Sequence, residues 1–300
     1  MRYLDANAVA ALGPAAAVRA IVAALLGGLD PSADPPRVPI ALAHGQFLLM
    51  PSQTAGAAGV KVVTVAPDNP ARDLPRIQAA YLLFDPETLT LQAVLDGTAL
   101  TTLRTAAVSI AAVLGHLPGR ALHAVIIGAG PQALAHASTL AAVHPVADTT
   151  YLVRDPNRTR LDAVALGSRP AEEALRSADL VVCATSARSP VFDSALLRDD
   201  AVVVAVGSHE PDARELDAAL LGRATVIVED TATALREAGD VVLAIAEGRL
   251  RPDELVTMKD ALGGPVNRSG GRPVVFKSVG MSWEDLVIAS AVLDAAPAAQ

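Results

Sequence analysis

Val125-Ile126-Ile127-Gly128-Ala129-Gly130-Pro131-Gln132-Ala133 carries an apolar strand directly into a glycine-rich turn and the start of a helix. The spacing is G-x-G-x-x-A, and each small residue has a physical task. Gly128 permits the tight strand-to-helix turn, Gly130 lets a diphosphate approach the backbone, and Ala133 lets the helix pack closely on its strand. The free N–H groups and positive dipole end of the helix that follows favour an anion. The stretch therefore predicts a βα unit that binds a dinucleotide.

Downstream of this turn the pattern alternates. Apolar runs at Thr150–Val153, Leu180–Ala184, Ala201–Val206 and Ala224–Val228 read as strands, with helices at Pro131–Val143 and Pro170–Ser177. Such alternation predicts a parallel sheet with crossover helices. Upstream the order differs. An amphipathic helix over Pro14–Leu29 precedes a turn-rich linker, Asp30–Pro36. Strand-like runs follow at Val38–Ala43, Gln46–Met50, Val60–Val65, Ala79–Leu83 and Leu91–Leu95, separated by turns such as Pro67-Asp68-Asn69-Pro70. Strands without intervening helices predict an antiparallel or mixed sheet. An Ala-rich helix over Thr101–Leu114 leads into the glycine-rich unit, and Pro273–Phe276 and Trp283–Ala295 read as a final strand and helix.

Composition narrows the function. With 300 residues, half of them apolar, the chain can bury a sizeable core. A net charge of −8 and no basic stripe argue against a nucleic-acid partner. No uninterrupted apolar run reaches the ~18 residues that span a bilayer, so no membrane partner is expected. The one cysteine, Cys183, sits in an apolar run and suits a reducing cytoplasm. No histidine pairing suits a metal, and none is expected.

The second strand of the dinucleotide unit ends Tyr151-Leu152-Val153-Arg154-Asp155. An acid at this tip usually holds the ribose hydroxyls of NAD. Here Val153 takes that place and Arg154 follows, which suits the 2′-phosphate of NADP(H). A register shift that makes Asp155 the acid keeps NAD(H) possible.

Five segments extend this picture to nearly the whole chain: Leu49-Met50-Pro51 with Lys61 beyond it, Leu74-Pro75-Arg76-Ile77-Gln78-Ala79, Leu95-Asp96-Gly97 through Leu103-Arg104-Thr105-Ala106-Ala107, Ile127–Gln132, and Phe276-Lys277-Ser278-Val279-Gly280-Met281-Ser282-Trp283-Glu284-Asp285. In these the chain resembles the ornithine cyclodeaminase/mu-crystallin family. The resemblance implies an α/β fold: a Rossmann dinucleotide-binding domain (118–274) plus a second α+β substrate and dimerisation domain built from both chain ends (1–117 and 275–300), usually paired as a homodimer. It implies that Arg37 and Arg104 hold a substrate carboxylate and that Lys61 sits against the reacting carbon and its nitrogen or oxygen. It also implies a cofactor lining from Arg76, Arg104, Thr105, Gly128, Ala129, Gly130, Pro131, Gln132, Arg154, Thr185, Val204, Val206 and Ser278. The chemistry is coherent. Guanidinium groups grip carboxylates, and a lysine of tuned pKa supplies or orients a proton. A lysine interrupting the run Val60–Val65 is expensive unless it points to a cleft.

Departures from the family pattern decide the branch. In ornithine cyclodeaminases a carboxylate stands at the position of His209 and a lysine at Ala213; both are absent. Phe276-Lys277-Ser278 is similar to the mu-crystallin branch, where cyclodeaminases carry Asp before the Ser. The region Arg158–Pro170 is shorter than usual, so one Rossmann strand is expected to be reduced or missing. The resemblance thus implies an NAD(P)H-dependent reductase of cyclic ketimine carboxylates, Δ1-pyrroline-2-carboxylate or Δ1-piperideine-2-carboxylate, with Lys61 or His209 as proton donor. Ornithine or lysine cyclodeamination, an alanine-dehydrogenase-like reaction and a crystallin-like binding role stay open.

Overall fold

The computed structural model describes residues 1–264 and 271–297. The chain forms two compact units: one from Met1–Val108 with Met281–Gln300, the other Ser109–Gly280. The first boundary lies inside the helix Gly97–Val113, not after it at 117. The second falls after Gly280 because the strand Val274–Lys277 pairs inside the parallel sheet, which moves residues 275–280 out of the substrate domain to which they were assigned.

The first unit holds a mixed six-stranded sheet. Its strands are β1 (Arg2–Leu4), β2 (Val38–Leu42), β3 (Gly45–Gln53), β4 (Ala58–Val65), β5 (Ile77–Phe84) and β6 (Leu91–Asp96), ordered β1-β6-β5-β4-β3-β2. All neighbours are antiparallel except β1 with β6. Period-2 alternation gives the sheet two faces. Met50, Lys61, Tyr81 and Leu95 form one cross-strand row, and all four are buried. The helices Pro14–Leu26 and Ser282–Ala295 contribute Val18, Ile21, Leu25, Leu286 and Val292 to the core of this unit. On the opposite face Leu49, Val60, Val62, Leu82 and Val94 are half-buried, and Val38, Ile40 and Leu42 of the edge strand are exposed. The helix Gly97–Val113 starts four residues before the expected Thr101, because Asp96 caps it by accepting from the N–H groups of Thr98 (2.9 Å) and Ala99 (2.8 Å). With the turn to His116 it is long and apolar enough to span a bilayer on length and composition, yet Ala106–Val113 are at most 2% exposed, as in a core helix.

The second unit holds eight parallel strands: β7 (Leu122–Ile127), β8 (Val146–Val153), β9 (Ala163–Ala165), β10 (Leu180–Cys183), β11 (Val202–Ala205), β12 (Thr225–Val228), β13 (Val256–Thr257) and β14 (Val274–Lys277). Their order is β13-β12-β14-β11-β10-β7-β8-β9. Residues of both parities in β7, β10, β11 and β14 are buried, which explains the unbroken apolar runs. The chain builds β7, β8 and β9 outward in one direction and returns to place β10 on the other side of β7. That reversal is a topological switch point, the place where open α/β sheets bind ligands at the carboxyl ends of their strands. The shortened region supplies only the three-residue β9, as its length predicted.

Candidate active site

In the first unit a buried cluster of charge surrounds Lys61. Its Nζ donates to Asp285 Oδ2 at 2.7 Å, and the side chain is 2% exposed. Arg104 on the helix Gly97–Val113 donates from Nε to Asp285 Oδ1 (3.2 Å) and from Nη1 to Glu284 Oε2 (2.5 Å). Glu284 also accepts from the backbone N–H of Met281 (3.1 Å), so it caps its own helix while holding Arg104. Burial and the Arg104 charge lower the Lys61 pKa to about 8, against the opposing pull of Asp285. Two cations and two carboxylates neutralise one another here. That balance is what makes four buried charges tolerable.

Tyr81 stands opposite Lys61 on the neighbouring strand. Its hydroxyl is buried over Gly59, where a Cβ would meet the Oη at 2.3 Å. Burial, with the nearby charges of Asp285 and Asp34, raises its pKa well above the usual phenol value. Arg37 is half-buried and immediately precedes β2, whose Val38 pairs with Leu49, so it enters the sheet beside the Met50–Lys61–Tyr81 row. Thr105 is buried next to Arg104. Arg76 is exposed just before β5. The first unit thus gathers Lys61 and Arg104 with two carboxylates; the expected Arg104–substrate contact must share that guanidinium with Glu284 and Asp285.

In the second unit the glycine-rich turn forms a cradle. Gly128 has φ +126°, and a Cβ there would meet the carbonyl of Ala184 at 2.5 Å, so only glycine fits. A Cβ on Gly130 would meet nothing within 4 Å, which leaves its face open for a ligand. Gly130 is also the N-cap of the helix Pro131–Val143 and offers no side-chain cap to the first-turn N–H groups. A cleft of about 680 Å³ opens beside this turn, lined by Gly128, Ala129, Gly130, Arg154, Arg158 and Thr185 among others. The open face of Gly130 and the uncapped helix end fit a diphosphate. Asp155 lines the cleft too, but its Oδ1 accepts from the N–H of Asn157 (3.0 Å) and from its side-chain amide (3.2 Å), as the cap of the turn Pro156–Arg158.

Buried carboxylates tie the rim of this sheet together. Glu215 accepts from Thr185 N (2.8 Å), Thr185 Oγ1 (2.7 Å) and Gly207 N (2.7 Å), joining the ends of β10 and β11. Glu229 gathers Ser278 Oγ (2.6 Å), Val279 N (2.9 Å) and Gly280 N (2.9 Å) at the end of β14. Lys277, fully buried, donates to Ser208 O (2.6 Å) and pairs with Asp240 (3.0 Å). The Thr185 and Ser278 hydroxyls, expected along the cofactor, are thus given to Glu215 and Glu229. Val204, expected along the cofactor, is 0% exposed inside β11, whereas Val206 and Gly207 beyond the strand end are half-buried. His209 lies exposed in the turn after β11, between Lys277-bound Ser208 and Glu210, which pairs with Arg188. It stands in the second unit, whereas Lys61 stands in the first.

Four residues escaped sequence reasoning as site residues: Glu284, Asp285, Tyr81 and Asp34. A signal existed for the first two, because adjacent carboxylates open an otherwise apolar helix, Ser282–Ala295.

A family model for the ornithine cyclodeaminase/mu-crystallin family matches residues 14–300. A Δ1-pyrroline-2-carboxylate/Δ1-piperideine-2-carboxylate reductase of Azospirillum brasilense is 35% identical over 281 residues, covering 87% of this chain and 85% of its own. The ketimine reductase mu-crystallin of Mus musculus is 35% identical over 269 residues, covering 86% and 82%. Among solved structures, a Δ1-pyrroline-2-carboxylate reductase of Thermococcus litoralis in complex with NADH and L-proline matches with a TM-score of 0.87 at 27% identity, covering 98% of this chain and 97% of the other.

Proposed function

The chain belongs to the ornithine cyclodeaminase/mu-crystallin family, and from that premise we propose that it reduces a cyclic ketimine carboxylate, Δ1-pyrroline-2-carboxylate or Δ1-piperideine-2-carboxylate, to the cyclic amino acid. The observation that carries this reading is the buried Lys61–Asp285–Arg104 cluster, a proton source of lowered pKa set beside a guanidinium.

The second unit would hold the dinucleotide through Gly128–Gln132, Arg154 and the backbone around Val206. A reduced nicotinamide bound there would supply the hydride that reduction of the ring carbon bearing the carboxylate needs. The first unit does the rest. Arg37 and Arg104 receive the carboxylate, and Lys61, an ammonium below pH ~8, gives the ring nitrogen the proton that completes C=N reduction. Asp285 holds the Lys61 ammonium in one place, and the neutral amine takes a new proton from solvent once the product leaves. Lys61 is favoured over the exposed His209 because a buried donor works in a less screened field. Absence of the cyclodeaminase carboxylate at the position of His209 removes the group that would act on a second amine.

NADP(H) is the favoured dinucleotide. Arg154 and Arg158 both line the cleft, apolar Val153 occupies the strand tip, and Asp155 is engaged by Asn157. A homodimer suits the half-buried apolar sheet face and the exposed Val38, Ile40 and Leu42 of the edge strand. The test is to mix the protein with NADPH and Δ1-piperideine-2-carboxylate and follow the reduced cofactor. Steady oxidation is expected. Turnover of ornithine to proline and ammonia with catalytic NAD⁺, and none with either imine, would replace this reading with cyclodeamination.

A further inference from the structure

Asp34 lies in the Pro-rich linker, three residues before Arg37, and looks from sequence like an ordinary turn residue. The structure gives it two partners from distant elements. Its Oδ1 accepts from Ser52 Oγ on β3 at 2.6 Å, and its Oδ2 accepts from the backbone N–H of Trp283 at 2.5 Å, 249 positions away. Trp283 is in the first turn of the helix Ser282–Ala295, whose N-cap, Met281, offers no side-chain cap to that turn. Asp34 therefore supplies from the linker the capping oxygen that the helix lacks, at the positive end of its dipole. The next two residues of that helix are Glu284 and Asp285, which hold Arg104 and Lys61.

We propose that Asp34 is a positioning residue for substrate capture, fastening the Arg37-bearing linker to β3 and to the helix turn that presents Glu284 and Asp285. The proposal rests on the reading that Arg37 and Arg104 hold the substrate carboxylate. Asp34 touches no reacting atom in it. The linker Asp30–Arg37 has three prolines and opens on a local turn in which Asp30 accepts from Ser32. Asp34 thus ties together directly two segments that must agree in position. The groups facing Asp34 are Ser52 on β3, the Trp283 N–H and the Asp285 carboxylate on the helix, and Tyr81 on β5; burial and the Asp285 charge raise its pKa to about 6 against the two hydrogen bonds. Asp34, Ser52 and Trp283 line a separate cleft of about 730 Å³ in the first unit; Asp30 and Asp294 line it too, and among its described lining residues there is no Lys or Arg.

The chain provides its own reporter, because Trp283 is the single tryptophan. The experiment compares the full-length wild type with Asp34→Ala, Asp34→Asn and Ser52→Ala. Each is assayed with NADPH and Δ1-piperideine-2-carboxylate, and Trp283 emission is recorded from pH 5 to 8. Asp34→Ala should raise the imine KM roughly tenfold or more, the scale of a lost hydrogen bond to a charged group, with kcat and NADPH affinity within about threefold. Asp34→Asn should restore KM, since its amide oxygen still accepts from Trp283 and its NH₂ donates to Ser52 Oγ. Ser52→Ala, which removes one of the two bonds, should fall between. Wild-type emission should titrate near pH 6, and that transition should vanish in Asp34→Asn. A KM unchanged in both Asp34→Ala and Ser52→Ala, an Asp34→Asn variant as impaired as the alanine, or a titration that persists in Asp34→Asn would overturn the proposal. If Asp34→Ala does not fold, the Asn and Ser52 variants decide. A wild type inactive on both imines would instead overturn the functional reading, and the emission titration would still report on the Asp34–Trp283 contact.

Discussion

Lys61 Nζ lies 2.7 Å from Asp285 Oδ2, although 224 positions separate the two residues. The other oxygen of the same carboxylate accepts from Arg104 Nε at 3.2 Å. One buried carboxylate therefore spans two cations. Burial and the neighbouring Arg104 destabilise the Lys61 ammonium, Asp285 partly restores it, and the balance leaves the pKa near 8.

The sign of the pH dependence follows. Below about 8 Lys61 carries the proton that imine reduction consumes; above it the amine is neutral. The kcat/KM for imine reduction should be flat on the acid side of this limb and fall about tenfold per pH unit above it. Oxidation of the cyclic amino acid should show the opposite limb. A reductive profile that stays level to pH ~10, near the unperturbed lysine value, would remove Lys61 as donor.

Replacing the lysine separates chemistry from cofactor binding. Lys61→Ala should lower kcat/KM by roughly 10²–10⁴, the range for a general acid, while NADPH affinity, measured by fluorescence titration, stays within about twofold. Asp285→Ala should act on the fold as well, because it removes the buried carboxylate that pairs with both Lys61 and Arg104. A loss of about 3–5 kcal/mol in urea unfolding is expected, and a loss below 1 kcal/mol would show that the cluster tolerates the uncompensated charge.

The two glycines of the turn should fail differently. Gly128→Ala forces a side chain into positive φ against the Ala184 carbonyl and should lower stability by more than ~1 kcal/mol, read as a fall in Tm. Gly130→Val meets open space, so Tm should hold while NADPH binding is lost. Equal binding by Gly130→Val and wild type would mean that no diphosphate approaches there.

Arg154 tests the dinucleotide choice. Arg154→Asp should reduce the NADPH/NADH ratio of kcat/KM by roughly tenfold or more, since a charge-assisted contact to the 2′-phosphate becomes a repulsion. An unchanged ratio would remove the 2′-phosphate contact from Arg154.

Local chemistry explains what was legible in the sequence. The glycine-rich turn and the helix Pro131–Val143 follow from steric rules that act within nine residues, and the helix has the expected bounds. Lys61 stood out because an ammonium interrupts an apolar strand. Extents were less legible where polar residues lie on a paired strand: β8 starts at Val146, not Thr150, since backbone pairing to β7 carries Asp148 and Thr149. β1 gave no sign because its three residues gain a partner only in β6, some 90 positions later. The same cause hid Asp34 and the roles of Glu284 and Asp285. A carboxylate in a turn, or in the first turn of a helix, is ordinary locally, and only the fold brings these groups to Ser52, Arg104 and Lys61.

The most direct measurement follows the hydrogen itself. The protein is incubated with NADPH carrying deuterium at the transferable C4 position and with Δ1-piperideine-2-carboxylate, and the product is examined by mass spectrometry and NMR. The cyclic amino acid should gain one deuterium, on the carbon bearing the carboxylate, and none on the nitrogen, whose proton comes through Lys61. Product without deuterium at that carbon, or reduced cofactor left intact beside the imine, would contradict hydride transfer to C=N as this protein's reaction.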